Sequence, residues 1–457
     1  MIGVLSVVFS AGMTQAGKLP RLKVSDNRRF LVHEDGTPFF WLGDTAWTLF
    51  HRLTREEVDQ YLADRAKKSF TLVQAGLMSA GRLEELPANV YGDRPLADED
   101  PARPNEAFFE HVDHVIDRAE SHGLYVGLLP TWGHCFVQGN FDAPRLFDAD
   151  TAFAYGQSLG DRYKDRTHII WILGGDTVPT EEDEQIYRAM ARGIAVGVNG
   201  GEDYDNVLMT FHPRGGGHSS SEWFHEDEWL DFNMMHTGPR RGFRNYETIV
   251  RDCGKRPVKP AMDGEPGYEN ATKERLSAAD VRSYAYWAVF AGGHGHTYGA
   301  LEVWQMYKPE FEPLDGAERY WHEAIDYPGA SDMQHLRNLL ESRPFLIRIP
   351  DHSLIVSGQG ATVEDHVQAT RGSDGSYALV YIASGEPVTV AMDKISGQTA
   401  AAHWYDPREG TAKSMGQFPT TGMRKFIPPS SGPGNDWVLV LDDAAKSFPP
   451  PGATASD

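Results

Sequence analysis

The sequence predicts a (β/α)8 TIM barrel followed by a small C-terminal antiparallel β-sandwich. Eight apolar runs of strand length recur through the first three quarters of the chain, separated by longer amphipathic stretches. Near residue 345 the pattern changes to short alternating runs punctuated by turns. The length of 457 residues suits a barrel of about 250 residues with an accessory module.

The runs are FFWLGDT (39–45), TLVQAGL (71–77), YVGLLPTWG (125–133), HIIWILGGD (168–176), VLMTFHP (207–213), DFNMMHTG (231–238), VKPAMDGEP (258–266) and GGHGHTYG (292–299). Near-continuous apolar character marks strands buried on both faces of a parallel sheet. The last run is glycine-rich and carries the weakest strand signal. Between the runs, TREEVDQYLADRAKK (54–68) begins at a capping Thr54 with Glu57 three residues on. NEAFFEHVDHVIDRAESHG (105–123) opens at Asn105, closes at Gly123, and puts Phe108, Val112, Val115 and Ala119 on one face. Eight such strand–helix units close into a barrel, which assigns residues 27–345 to one domain.

Beyond Arg343–Asp351 come HSLIVSG, YALVYIAS, VTVAMDK, AAHWYDPR and DWVLVLDD, with turn chemistry at Ser373-Asp374-Gly375 and Ser431-Gly432-Pro433-Gly434. Residues 350–445 therefore read as a β-sandwich, and 446–457, ending in PPPGATASD, as a disordered tail.

A hydrophobic content of 40% supports a sizeable core, and a net charge of −22 argues against nucleic acid or an anionic membrane as partner. Two cysteines, Cys135 and Cys253, cannot build a disulfide framework and read as incidental packing or loop residues. The first 17 residues form an apolar run with Thr14 and Ala16 where a signal peptidase reads, and the first basic residue is Lys18. This leader is too short and interrupted for a membrane span, and it points to a secreted or periplasmic protein.

Active sites of such barrels lie at the strand C-termini. There the chain offers Asp44 and Trp47 (strand 1), Trp132 and His134 (strand 3), Asp176 (strand 4), His212 (strand 5), His236 (strand 6), Glu265 (strand 7), and His294 and His296 (strand 8). Asp44 also fits a helix N-cap or a buried anchor. Asp176 follows a Gly-Gly pair and Glu265 lies in Asp-Gly-Glu-Pro; strands 4 and 7 face each other across a closed barrel, so these carboxyls can flank one bond. Glycoside hydrolysis needs that arrangement, one group protonating the leaving oxygen and the other attacking or activating water. Asp176 would have to stay protonated, which a partly apolar aromatic pocket favours. Asp263 is placed to orient or tune Glu265. Trp47, Trp132, Trp223, Tyr268, Tyr298 and Trp304 sit near the rim loops, where sugar faces stack on aromatic rings.

These residues also carry a likeness. RRFLVHEDGTPFFWLGDTAWTLFHRLTREEVDQYLADRAKKSFTLVQ resembles the start of the apiosidase-like glycoside hydrolases, glycoside hydrolase family 140, formerly a domain of unknown function. WILGGD and DGEPGYE are similar to that family's two catalytic motifs, and AAHWYDPREG and NDWVLVLDD to a C-terminal module labelled a collagen-binding domain of a collagenase. The resemblance implies an exo-acting retaining enzyme with Asp176 as acid/base and Glu265 as nucleophile. It also implies pectic side chains as substrate, with apiose or a related sugar released. The wider clan of such barrels has Asn-Glu on strand 4, whereas here it is Gly-Asp, so His212 or His236 would have to supply the usual contact to the sugar 2-hydroxyl. Nothing resembles a protease: HExxH and GxSxG are both absent.

The reading assigns Asp44, Trp47, Trp132, His134, His212, His236, Tyr268, His296, Tyr298 and Trp304 to substrate binding, and calls for no cofactor and no metal. Two alternatives stand beside it. A non-catalytic carbohydrate-binding protein would lack joint reach of Asp176 and Glu265 on one sugar ring. A metal-dependent hydrolase would bring three or more of His134, His212, His236, His294 and His296 to one point.

Overall fold

The computed structural model describes residues 18–78, 86–139, 145–271, 273 and 275–453. The expected leader (1–17) lies outside them. Eight parallel strands form the barrel in chain order: β1 (Trp41–Thr45), β2 (Leu72–Gly76), β3 (Tyr125–Leu129), β4 (Ile169–Thr177), β5 (Met209–Pro213), β6 (Asn233–His236), β7 (Ala261–Asp263) and β8 (Gly295–Tyr298). Strand ladders join β5 through β4, β3, β2 and β1 to β8, β7 and β6. The seam between β5 and β6 is closed by other means. Asp231 N–H donates to Met209 O at 2.9 Å, Met209 N–H to Asp231 Oδ2 at 2.8 Å, and the Thr210 hydroxyl to Phe232 O at 2.7 Å.

Helices α1 (Arg55–Lys67), α2 (Glu106–Ser121), α3 (Ala149–Tyr163), α4 (Glu181–Asn199), α5 (Asn245–Cys253), α6 (Ala278–Phe290) and α7 (Pro328–Glu341) surround the sheet. Thr54 caps α1 in a capping box with Glu57, and Asn105 caps α2, because each side chain satisfies a backbone N–H that the first helical turn leaves unpaired. The connection from β5 to β6 departs from the repeat: its helical content is the single turn Ser220–Glu222.

Strand register decides which side chains enter the barrel. Gly127 pairs with Gln74 and Ile170, and a Cβ there would touch Ile172, Gln74 and Leu72, so these positions face inward. The same alternation carries Thr210 and His212 inward on β5, and Met234 and His236 inward on β6. On β1 and β8 it does the opposite for Asp44, His296 and Tyr298. Leu42 pairs with His296 and Asp44 with Tyr298, and this parity faces the helices.

A six-stranded antiparallel sheet and a three-stranded one, both formed after residue 347, pack over a second core that includes Leu354, Val367, Val380, Val390, Trp404 and Leu439. This sandwich is joined to the barrel by buried ion pairs. Arg282 of α6 makes a two-pronged contact with Asp436 at 3.0 and 2.7 Å and meets Asp332 of α7 at 2.6 Å; Arg343 holds Asp442 in the same way at 2.8 and 2.7 Å. The disordered tail expected from residue 446 is not found over 446–453. Phe448 lies under the Arg343 guanidinium at 5.1 Å, and Gly452 N–H donates to Ser342 Oγ at 3.2 Å. Residues 454–457 lie outside the described residues.

Helices α3 and α4, which flank β4, touch backbone to backbone through glycines. A Cβ on Gly156 would come 2.4 Å from Met190 O, and one on Gly193 2.2 Å from Phe153 O. Gly193→Ala should therefore destabilise the barrel by about 1–3 kcal/mol through overpacking, read as a lower thermal midpoint. An unchanged midpoint would show that the two helices separate without cost.

Candidate active site

Two local backbone devices aim the carboxylates. At the end of β4 the register breaks between Gly174 and Thr177, and three successive residues have positive φ: Gly174 at 92°, Gly175 at 105° and Asp176 at 51°. A Cβ on Gly174 would lie 2.4 Å from His212 O, so only glycine fits there. A non-glycine residue in the left-handed region costs on the order of 1 kcal/mol, a strain that collects at functional sites. Across the barrel, β7 ends at Asp263. Gly264 N–H donates to Met235 O at 2.8 Å, and the Glu265 carbonyl accepts from Thr237 and Gly238 at 3.2 and 3.0 Å. That turn delivers Glu265 to the same cleft.

The cleft has a volume of about 880 Å³ and is walled by Trp47, Trp132, Tyr268 and Trp304, with Asp176, Glu265, His134 and His236 also at its surface. At its centre, one oxygen or nitrogen from each of Asp176, His212, His236 and Glu265 lies within 4.8 Å of the others. His236 stands between the carboxylates: Nδ1 is 3.0 Å from Asp176 Oδ1 and Nε2 is 3.6 Å from Glu265 Oε1. His212 Nε2 sits 2.7 Å from Glu265 Oε2. The Tyr268 hydroxyl donates to Glu265 Oε1 and accepts from Trp47 Nε1–H at 3.1 Å. His212 also meets the edges of Trp47 and Trp132, with ring centroids 5.2 and 5.9 Å away.

Burial opposes charge on His236, yet Glu265 and Asp176 override it and push its pKa up to about 9. Burial would likewise raise the Asp176 carboxyl, but His236, with His212 and His134 behind it, holds it below the usual carboxylate value. The sequence argument that an apolar pocket keeps Asp176 protonated therefore fails in the free protein, because the proton resides on His236. Burial and the adjacent Glu265 hold the Tyr268 phenol well above its ordinary value, so it stays a donor. Asp263 faces the helices, accepts from Thr237 Oγ1 at 2.5 Å and Asn245 Nδ2 at 3.1 Å, and is pushed up to about 6 by burial.

Four residues expected to bind substrate do not border the cleft; one of them, His212, points inward but is fully buried against Glu265. Asp44 is fully buried on the helix side, accepting from the Tyr61 hydroxyl at 2.6 Å and paired with Arg65 at 3.3 Å. Tyr298 donates to Glu269 at 2.6 Å on the same outer face. His296 is buried with its pKa pushed down to about 3. For Asp44, Tyr298 and His296 strand parity, not distance from the strand end, decides the outcome. Cys135, Lys273, Arg275 and the segment Leu314–Gly316 do line the cleft and escaped the sequence reading. Cys135 follows Trp132 in the turn after β3, while the others stand on loops far past any strand signal.

The meeting of three or more histidines expected of a metal hydrolase is not found among the described residues, although Asp176, His212, His236 and Glu265 together form a group that could hold a metal ion. Among the described residues His212 and His236 join the central cluster, while His134, His294 and His296 do not. The arrangement is an imidazolium between two carboxylates.

Among the described residues, no helix is long and apolar enough to cross a membrane. No curated protein matches the chain. A solved structure titled "Glycoside hydrolase" is 35% identical, with a TM-score of 0.85 over 94% of this chain and 98% of that one. A glycoside hydrolase family 5 structure from Bacteroides vulgatus is also 35% identical, with a TM-score of 0.86 over 95% of this chain and 96% of its own. A family 27 β-L-arabinopyranosidase from Geobacillus stearothermophilus shares the fold alone, at 12% identity and a TM-score of 0.52, over 90% of this chain and 98% of that one. The module at residues 349–442 matches the family described as "Putative collagen-binding domain of a collagenase". Residues 25–347, the whole barrel with the cleft just described, match the "Apiosidase-like, catalytic domain" model, and the chain belongs to that glycoside hydrolase family.

Proposed function

We propose that the protein is a retaining exo-glycoside hydrolase of pectic cell-wall glycans that releases apiose or a related sugar, with Asp176 as acid/base and Glu265 as nucleophile. The observation that carries the proposal is that Asp176 and Glu265 face one aromatic-walled cleft with their nearest oxygens within 4.8 Å of each other, a closeness that favours the shorter of the two carboxyl spacings seen in such enzymes. Retaining enzymes hold their carboxyl groups about 5–5.5 Å apart, whereas inverting ones leave about 6.5–9.5 Å for a water. Joint reach on one ring also favours catalysis over simple binding.

The assignment of roles follows from exposure and support. The Glu265 side chain is 9% exposed and fixed by Tyr268 and His212, which suits an oriented anion that must strike one carbon. The Asp176 side chain is 36% exposed and faces the open cleft, where a leaving group departs. In the first step a Glu265 oxygen bonds to the anomeric carbon, the glycosidic C–O bond breaks, and Asp176 gives a proton to the leaving oxygen. In the second, Asp176 takes a proton from water, whose oxygen replaces Glu265 on the same carbon. The exo mode and pectic substrate rest on the family likeness, and export to the periplasm or outside rests on the apolar leader at residues 1–17.

Screening against pectic oligosaccharides, with the released monosaccharide identified and its first anomer followed by NMR, tests the proposal; an inverted first product would defeat the retaining assignment. Glu265→Gln should lower kcat by about 10⁴-fold or more on every substrate. Asp176→Asn should be milder on activated leaving groups and partly rescued by azide, giving a glycosyl azide of retained configuration. Trp132→Ala should raise KM about fivefold with little change in kcat, since stacking is worth about 1 kcal/mol in ground and transition states alike. An unchanged KM would remove Trp132 from substrate binding.

A further inference from the structure

His236 is held differently from an ordinary substrate-binding histidine. It projects inward from β6 and touches both carboxylates, one at each ring nitrogen, 3.0 Å from Asp176 and 3.6 Å from Glu265. The ring is only 7% exposed, so protein groups rather than water set its charge. Those groups are Asp176 from β4, His212 from β5 with ring centroids 5.1 Å apart, and Glu265 and Asp263 from β7. Gly215 in the loop after β5 also lies against the ring.

We infer that His236 is the proton store of the reaction, passing a proton from Nδ1 to Asp176 Oδ1 as Glu265 loses its charge to the anomeric carbon. This rests on the glycoside-hydrolase reading above and deepens it. Glu265 is the largest influence holding the proton on His236. When Glu265 becomes a neutral glycosyl ester, that attraction disappears, and the ring releases its proton through Asp176 to the leaving oxygen. In the second step water gives a proton to Asp176 while its oxygen bonds to the sugar carbon. Glu265 leaves as a carboxylate, and His236 recovers the proton. Bond making at Glu265 and proton delivery at Asp176 are thereby coupled through one ring, and Asp176 need not be protonated in the free enzyme. His236 is in this sense a positioning and relay residue, acting on the leaving group through Asp176.

The test is His236→Gln assayed on two substrates of the same sugar: an oligosaccharide, and a dinitrophenyl glycoside whose leaving group needs no proton. Loss of the ring charge lowers kcat/KM on both substrates, but the fall should be about 10²-fold or more larger on the oligosaccharide than on the aryl glycoside. The alkaline limb of the oligosaccharide profile should lie near pH 9 in the wild type, since above His236's pKa the store is empty, and move to lower pH in the variant. Equal losses on both substrates would overturn the inference and make His236 a support for Glu265. Histidine-labelled wild-type enzyme gives a measurement free of folding effects: in a trapped glycosyl-enzyme the His236 titration should shift to lower pH, and an unshifted titration would overturn the relay. Wild type that cleaves neither substrate would defeat the glycosidase reading itself.

Discussion

Bringing the carboxyl groups of Asp176 and Glu265 within a few ångströms incurs Coulomb repulsion, and Glu265, at 9% exposure, is desolvated as well. The cationic ring of His236 between them offsets both. Around that contact the other groups take consistent parts: His212 covers one oxygen of Glu265, Tyr268 donates to the other, and Trp47 fixes Tyr268. Removing the ring would leave two anions facing each other, one of them buried. The cleft is therefore a charge triad whose members set one another's protonation, with aromatic walls that keep the local dielectric low.

That triad depends on backbone features several residues away. The run of positive φ through Gly174, Gly175 and Asp176 breaks the β4 register and turns Asp176 into the cleft. Close contact of the flanking helices through Gly156 and Gly193 holds β4 in place. On the opposite side, the Glu265 carbonyl is tied to the end of β6 by two N–H groups, so both carboxylates are fixed relative to the strand that carries His236. The accessory sandwich adds to this support. Its His366 stacks on Tyr246 at 3.7 Å and accepts from Trp287 at 3.2 Å, beside the loop whose Gly238 and Pro239 border the cleft. Buried Arg282–Asp436 and Arg343–Asp442 pairs make it a brace, since losing one partner of such a pair typically costs about 3–5 kcal/mol.

Much of this was legible in the sequence because it rests on local chemistry. Apolar runs give the eight strands, Thr54 and Asn105 give helix starts, and glycine before Asp176 and after Asp263 marks where backbone must approach closely. What stayed hidden rests on register and on three-dimensional charge. Asp44 and Tyr298 end strands just as His212 does, yet face outward, because one residue of parity moves a side chain to the other face. The protonation of Asp176 stays hidden for a related reason: apolar neighbours are visible in sequence, but a histidine from another strand 3.0 Å away is not. The tail reads as disordered from its composition, whereas packing of Phe448 and Gly452 on the barrel–sandwich seam orders it through residue 453.

The central claim is that Glu265 forms a covalent bond to the sugar while Asp176 handles the proton. It is tested most directly by trapping the intermediate with a dinitrophenyl 2-deoxy-2-fluoroglycoside of the sugar released, followed by mass spectrometry of the intact protein and of its peptides. The account predicts one added fluoroglycosyl unit, located on the peptide that contains Glu265 and absent from Glu265→Gln. A rapidly processed substrate with no adduct, or an adduct carried by Asp176 or any other residue, would contradict it.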